Sequence, residues 1–245
     1  MSDMGYLDGY IYHMVHFDNL RSIFQRRALL SKEKVLQEEI PYRSIAYEEV
    51  QTLRDRIFIR DSSVKRYRPL HSYIPFYFAT RTPMLHVLYK NGIQDEIIIF
   101  EASRSLLKDQ GVVFTNGNAS NQQLAKYGRE QVIITPATVL DSLCRRRYLP
   151  DGPHGTNQSC SNFYADVSFL EHLNWDVIDD RWFNDDEKRR IKHAEALVPD
   201  LLPLGRASGI FVRAREMVES VNALIEDCGL TGRIPSAVRK PQLFF

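Results

Sequence analysis

Glu195 lies in "KHAEALVPDL", between Ala194 and Ala196 and just ahead of Leu197 and Val198. An ionised carboxylate is costly to take out of water unless it is paired. Two readings fit the placement: a strand with one wet face that carries the acid, or an acid with chemistry to perform. His13 and His16 form an HxxH pair in "IYHMVHF". On a strand that spacing sends the two rings to opposite faces, which argues against a shared metal. Neither HExxH nor a third ligand accompanies them, so zinc is not expected. His13 alone reads as a core histidine, Arg54 alone as a solvated side chain on a helix flank, and "RRR" at 145–147 as a wet loop. No GxSxG surrounds a serine, and Cys144, Cys160 and Cys228 lack a nucleophile setting. A nuclease built on Asp and Glu-x-Lys needs lysine two residues after the acid, where Leu197 stands. Taken singly, none of these groups decides the chemistry.

The elements that must position them are legible in part. "GYIYHMVHF" (9–17) reads as a strand of aromatic and β-branched residues, after which Asp18 can cap a short helix with Leu20, Ile23 and Phe24 on one face. Ala46, Val50, Leu53 and Ile57 mark a second helical stripe, with Arg54 and Arg56 off it. "YIPFYF" (73–78) is strand-like, although Pro75 argues for an edge or an irregular start. Thr82-Pro83 predicts an N-cap and first helical residue, and 96–102, 111–115 and 131–136 predict short strands. The pattern dissolves over 136–167, which reads as a long polar, basic surface loop, before "SFLEHLNWDVI" restores order. "GIFVR" (209–213) is a further strand, and "AREMVESVNALIEDCGL" an amphipathic helix with Gly229 past its end. Without an internal repeat, a regular βαβ rhythm or a Gly-rich phosphate loop, the class is α+β, and 1–245 reads as one domain.

Composition narrows the function classes. The 245 residues, 44% hydrophobic and 26% charged, suffice for a proper core. With 32 Lys plus Arg against 31 Asp plus Glu, the formal charge is +1. A protein gripping long duplex DNA usually shows a clear basic excess, so nucleic-acid contact here must be local. Three dispersed cysteines fit a reducing compartment and supply no disulfide framework. The N-terminus lacks the order of a signal peptide and no apolar run is long enough for a bilayer, so a cytoplasmic protein with no membrane partner is expected, and it is read as a monomer.

In order along the chain, "IYHMVHFDNLRSI", "RSIAYEEVQTLRDR", "YIPFYFATRTPMLHVLY", "KHAEALV" and the ending "VRKPQLFF" resemble the DNA ADP-ribosyltransferase toxins called DarT. The likeness runs from residue 10 to about 120 and again from about 168 to 245. Ser22 stands where that family often has glycine, and about 125–165 is an insertion relative to shorter members, in the region the family uses to contact nucleic acid. The resemblance implies an ADP-ribosyltransferase-like fold, a split, twisted mixed β-core with surrounding helices. It also implies NAD as co-substrate without a metal.

The implied reaction, a pentosyl transfer, breaks the nicotinamide N-glycosidic bond and joins C1″ of the ribose to a base nitrogen through an oxocarbenium-like state. By the resemblance Glu195 and Arg54 are catalytic. His13 lines the nicotinamide-ribose site with the backbone of Met14 and Val15, and Ser22, Leu30 and Arg54 lie along the dinucleotide. The resemblance also gives the arginine a role in taking the base proton; because arginine rarely loses its own, positioning is the sounder physical assignment. Phe76 and Tyr77 offer an aromatic wall for the nicotinamide. "RRRY" and "VKRYR" (64–68) can guide a phosphate backbone, and Tyr127, Tyr148, Phe163 and Tyr164 can stack on bases. A base acceptor is hidden in duplex, which favours single-stranded DNA, with thymine the implied base. Alternatives are guanine in DNA, an RNA or protein acceptor, or a non-catalytic module that binds single strands through 140–165. A toxin of this kind implies a macrodomain antitoxin that removes ADP-ribose. Glu195→Ala is expected to spare the fold, since it removes a carboxylate from an apolar run.

Overall fold

The computed structural model describes residues 4–55, 57–61, 66–120, 130–133 and 163–245. In chain order the helices are α1 (Met4–Leu7), α2 (Leu20–Arg26), α3 (Lys32–Gln37), α4 (Glu48–Arg54), α5 (Pro83–Lys90), α6 (Trp175–Asp179), α7 (Asp186–Lys192) and α8 (Arg215–Asp227). The strands are β1 (Tyr10–His16), β2 (Ala28–Leu30), β3 (Ile57–Asp61), β4 (Arg66–Pro69), β5 (Tyr73–Tyr77), β6 (Ile97–Ser103), β7 (Val113–Asn118), β8 (Glu130–Ile133), β9 (Phe163–Tyr164), β10 (Ala194–Pro199), β11 (Leu201–Pro203), β12 (Ala207–Val212) and β13 (Ala237–Arg239). Among the described residues the main sheet runs β13-β12-β6-β1-β5-β10-β7-β9, with β2-β11 and β4-β3-β8 as satellites. It is mixed, because β12 and β13 are parallel while their neighbours are antiparallel.

The middle of this sheet is split. β1 follows β6 along its whole length, from Tyr10–Ser103 to His16–Ile97, but meets β5 only at Tyr12–Tyr77. Pro75 explains part of the opening. Its carbonyl accepts from Nδ1 of His13 at 2.8 Å, so its ring nitrogen, on the same side of an antiparallel strand, also faces β1 and has no hydrogen to give. The sequence reading of Pro75 as an edge residue is thus met inside the sheet, at an internal edge.

The two faces of the sheet are unequal. Ile11, Val15, Ile74, Phe76, Ile98, Phe100, Ala196 and Val198 pack in one large core, together with Leu20 and Phe24 of α2 and Val221 and Ile225 of α8. The opposite face divides into two clusters, one around Met14, Tyr77, Leu85 and Ile99, the other around Ile57, Tyr73, Val113 and Leu197. β6 opens on the apolar run Ile97–Phe100 because both of its faces are covered.

The expected cap on α5 forms, with Thr82 Oγ1 accepting from the Leu85 amide at 3.2 Å and proline in the first turn. Gly229 follows α8 at φ 65°, a left-handed position that glycine takes without steric cost. Three local expectations are corrected. Asp18 caps no helix; Nδ1 of His16 accepts from the Asp18 amide at 3.1 Å, because the chain enters a short 3-10 turn there. The second helical stripe stops at Arg54, and Ile57 opens β3. Phe163 and Tyr164 form β9 beside β7 rather than belonging to a loop, and both rings are buried, Tyr164 stacking on Phe114 and Phe169. They are core residues and unavailable to bases. Tyr127, Tyr148, Arg56, Val64, Lys65, Cys144, Cys160, Arg145, Arg146 and Arg147, and most of the 125–165 segment, lie outside the described residues. Among the described residues no helix is long and apolar enough to cross a membrane.

Candidate active site

The acid in the apolar run has a partner 141 residues away. Nη1 of Arg54, at the end of α4, donates to both Glu195 oxygens, at 3.1 and 3.0 Å. Both side chains are almost wholly out of solvent, 8% exposed for Arg54 and 2% for Glu195, which rules out the wet-face reading of the strand. Burial pushes the Glu195 carboxyl above its usual range, while Arg54 and the Ala119 amide pull it back. Arg54 leaves the apolar stripe of its helix not for water but for this carboxylate.

Glu195 faces a backbone irregularity in β7. β10 pairs with β7 at Ala194–Asn118 and again at Ala196–Phe114, so the register shifts at Glu195. The extra residues lie in β7, between Phe114 and Asn118, while β10 keeps an unbroken register with β5 through Glu195–Tyr77. Thr115 Oγ1 holds the irregularity by accepting from the Glu195 amide at 3.0 Å and donating to the Gly117 carbonyl at 2.6 Å, all of it buried. Thr115→Val keeps the shape but leaves a buried amide unpaired. That variant should lose about 1–3 kcal/mol of unfolding free energy, seen as a lower urea midpoint at unchanged slope.

A cavity of about 580 Å³ opens over the pair and reaches into the split between β1 and β5. His13, Met14, Val15, Ser22, Leu30, Arg54 and Glu195 all line it, so the structure brings together every site residue inferred from the sequence. Val15 packs its side chain in the core and can offer the cavity only its backbone. Ser22 Oγ donates to the Asn19 carbonyl at 2.9 Å, within the helix start. His13 is held by Pro75, and burial lowers it to about 4, so its ring is neutral. The aromatic wall is corrected by strand parity. Tyr77, opposite Glu195 in the β5–β10 register, lines the cavity with its hydroxyl donating to Met84 Sδ at 3.4 Å, whereas Phe76 points into the core.

Two histidines that the sequence reading passed over also line the cavity. His71 Nε2 stands 2.8 Å from Asp55 and 3.2 Å from the Gln51 carbonyl, and burial, with Lys32 and Arg54 nearby, lowers it to about 4. His193, two residues before Glu195, is lowered to about 4 by burial and by Arg54. It lies at the end of α7, before β10 begins, so strand parity gave no signal for it; only the turn between helix and strand brings it to the cavity.

A buried charged pair in a cavity that mixes apolar walls with the cations Arg26, Lys32 and Arg43, beside a split sheet, suits a substrate with a charged reacting centre and both apolar and anionic parts. A family model described as "DarT: ssDNA thymidine ADP-ribosyltransferase, DarT" matches residues 12–147 and 132–245. This chain belongs to the DarT family. Among relatives, the DNA ADP-ribosyl transferase of Thermus sp. (strain 2.9) is 27% identical over 236 residues, covering 94% of this chain and 93% of that protein. The structure of Thermus sp. 2.9 DarT in complex with ADP-ribosylated ssDNA superposes with a TM-score of 0.73 at 24% identity, covering 97% of each chain. Its complex with NAD+ gives 0.70 at 23%, covering 97% of this chain and 98% of that one. A DNA ADP-ribosyl transferase-DNA ADP-ribosyl glycohydrolase fusion protein of Thermosipho africanus is 23% identical over 89% of this chain and 46% of the fusion. The DarT fold expected from the five motifs is therefore the observed one, a mixed sheet with helices around it.

Proposed function

We propose that this chain transfers ADP-ribose from NAD to thymidine in single-stranded DNA, with Glu195 and Arg54 as its catalytic pair. The observation that carries the reading is the buried contact between these two residues in the cavity. When bound, NAD supplies the electrophile at C1″, so the chain has only to bind, orient and stabilise. His13, with the backbone of Met14 and Val15, lies where the nicotinamide ribose would be gripped. Ser22 and Leu30 line the same cavity. Glu195 carries negative charge to the carbon that becomes positive, the electrostatic help that counts most in the transition state. Arg54 orients that carboxylate through one nitrogen, leaving the rest of its fork for a phosphate.

The family description and the DNA-bound Thermus relative support single-stranded DNA as the acceptor. The fused glycohydrolase of the Thermosipho relative supports a macrodomain partner that removes the modification. The reading takes 1–245 as one ADP-ribosyltransferase domain acting as a monomer in the cytoplasm, with the 125–165 insertion contacting nucleic acid. The experiment is incubation with labelled NAD and single-stranded oligonucleotides, followed by mass spectrometry of the product. Thymine-containing single strands should be labelled. Labelling of protein alone, or of duplex as readily as single strands, overturns the reading.

Replacing Arg145, Arg146 and Arg147 together with alanine should weaken single-strand binding, most at low salt, with melting temperature nearly unchanged. If all three touch phosphates, the slope of log K against log salt should flatten by about 0.7 for each arginine removed. A steep fall in melting temperature with unaltered binding would make the segment structural.

A further inference from the structure

Thymine adds a requirement that Glu195 and Arg54 do not meet. N1 carries the deoxyribose, so N3 is the ring nitrogen left to react, and it bears a hydrogen. As the new bond forms, that proton must leave. Arg54 holds its own proton too tightly to accept another, and both Glu195 oxygens receive Arg54 Nη1. Tyr77 is a donor, with burial pushing its hydroxyl upward. His71 Nε2 already faces Asp55 and the Gln51 carbonyl. His13 belongs to β1, on the far side of the split from Glu195.

His193 is different. It closes α7, and its Nδ1 lies 2.9 Å from the carbonyl of Arg189. A carbonyl only accepts, so Nδ1 carries the hydrogen and Nε2 keeps its lone pair. Nε2 has no partner among the described residues, and the ring lines the same cavity as Glu195, 6.2 Å from the ring of Tyr77.

We propose that Nε2 of His193 is the general base, accepting the N3 proton of thymine as the C1″–N3 bond forms. The step balances. The bond from C1″ to nicotinamide breaks and its electron pair leaves with neutral nicotinamide. N3 supplies the pair for the new bond, the N3–H pair stays on the base, and the proton goes to Nε2 and then to water. Arg54 from α4 is the cation facing the ring, Glu195 follows two residues on in β10, Tyr77 faces it from β5, and the Arg189 guanidinium is engaged by Asp186. Burial and Arg54 keep the imidazole neutral, with its proton lost by about pH 4, so it neither repels the positive nicotinamide ribose nor enters the step already protonated. A base this weak cannot strip resting thymine. It takes the proton late, when bonding to C1″ has made N3–H strongly acidic.

The inference rests on the transfer to thymine proposed above, and its test separates the two. Single-turnover transfer to a thymine oligonucleotide is measured for wild type, His193→Asn and His193→Ala from neutral to alkaline pH, with NAD affinity and melting temperature recorded for each. Asparagine can still donate to the Arg189 carbonyl but offers no base, so it isolates the proton step from the fold. Loss of a general base predicts transfer slower by roughly a hundredfold to ten-thousandfold at neutral pH, with NAD affinity and melting temperature preserved. The deficit should shrink at alkaline pH, where thymine sheds its own proton, and free imidazole should restore part of the rate to His193→Ala. Wild-type speed in His193→Asn, or a deficit that neither alkali nor imidazole reduces, overturns the proposal. A wild type that leaves thymine unmodified overturns the function reading instead.

Discussion

Glu195→Gln should transfer ADP-ribose at least about a hundredfold more slowly than wild type while still binding NAD, the loss typical of removing one electrostatic stabiliser. The amide keeps the shape and one acceptor for Arg54 Nη1, but it brings no charge to C1″. Binding falls only modestly because the lost interaction strengthens as the ribose becomes positive, so the effect belongs in kcat rather than in affinity. Glu195→Ala should behave worse than an apolar strand would suggest. The expectation that its fold is spared ignores the partner: truncation strands the Arg54 guanidinium, almost wholly buried, without its acid. Breaking one side of a buried pair costs about 3–5 kcal/mol, so the alanine variant should be unstable as well as inactive. Single-turnover transfer, NAD affinity and urea unfolding on both variants check this. Near-normal transfer by a folded Glu195→Gln would end the assignment of the carboxylate to catalysis.

Arg54→Ala should be inactive and destabilised by a similar margin, and its deficit should depend on pH. Without the cation, burial acts on Glu195 opposed only by the Ala119 amide, and its carboxyl moves further above its unfolded value. A raised carboxyl binds more protons folded than unfolded, so stability falls as pH rises from the unfolded value through the folded one. The variant should therefore lie closest to wild type in mild acid and furthest from it above neutrality. Arg54→Lys keeps a charge beside the acid and should recover part of the stability. It cannot reproduce a planar fork that holds Glu195 and leaves nitrogens for a phosphate, so it should recover little transfer. Melting curves across pH and transfer assays distinguish these outcomes. A pH-independent deficit in Arg54→Ala would mean that Glu195 stays ionised by other contacts.

Much of this was written locally. The run at β6, the Thr82-Pro83 start of α5 and the stripe of α8 are near-neighbour patterns, and each formed where its spacing placed it. The anomaly of Glu195 was likewise visible, because an acid between alanines in a strand calls for an explanation wherever the strand goes. Its answer was not local. Arg54 lies off its helical stripe, and helical periodicity says only that such a residue avoids the helix's own apolar face, not whether it meets water or a carboxylate 141 residues on. The same holds for Pro75, whose missing donor falls on the split only because β1 diverges there, and for Phe163 and Tyr164, which a two-residue strand takes into the core. The bulge opposite Glu195 is a register shift between β10 and β7, a property of two strands at once. Sequence fixes which side chains a segment can present and on which face. Where a face is pressed against another element, and which buried charge then finds its partner, is decided by long-range register and packing, which exist only once the chain has folded.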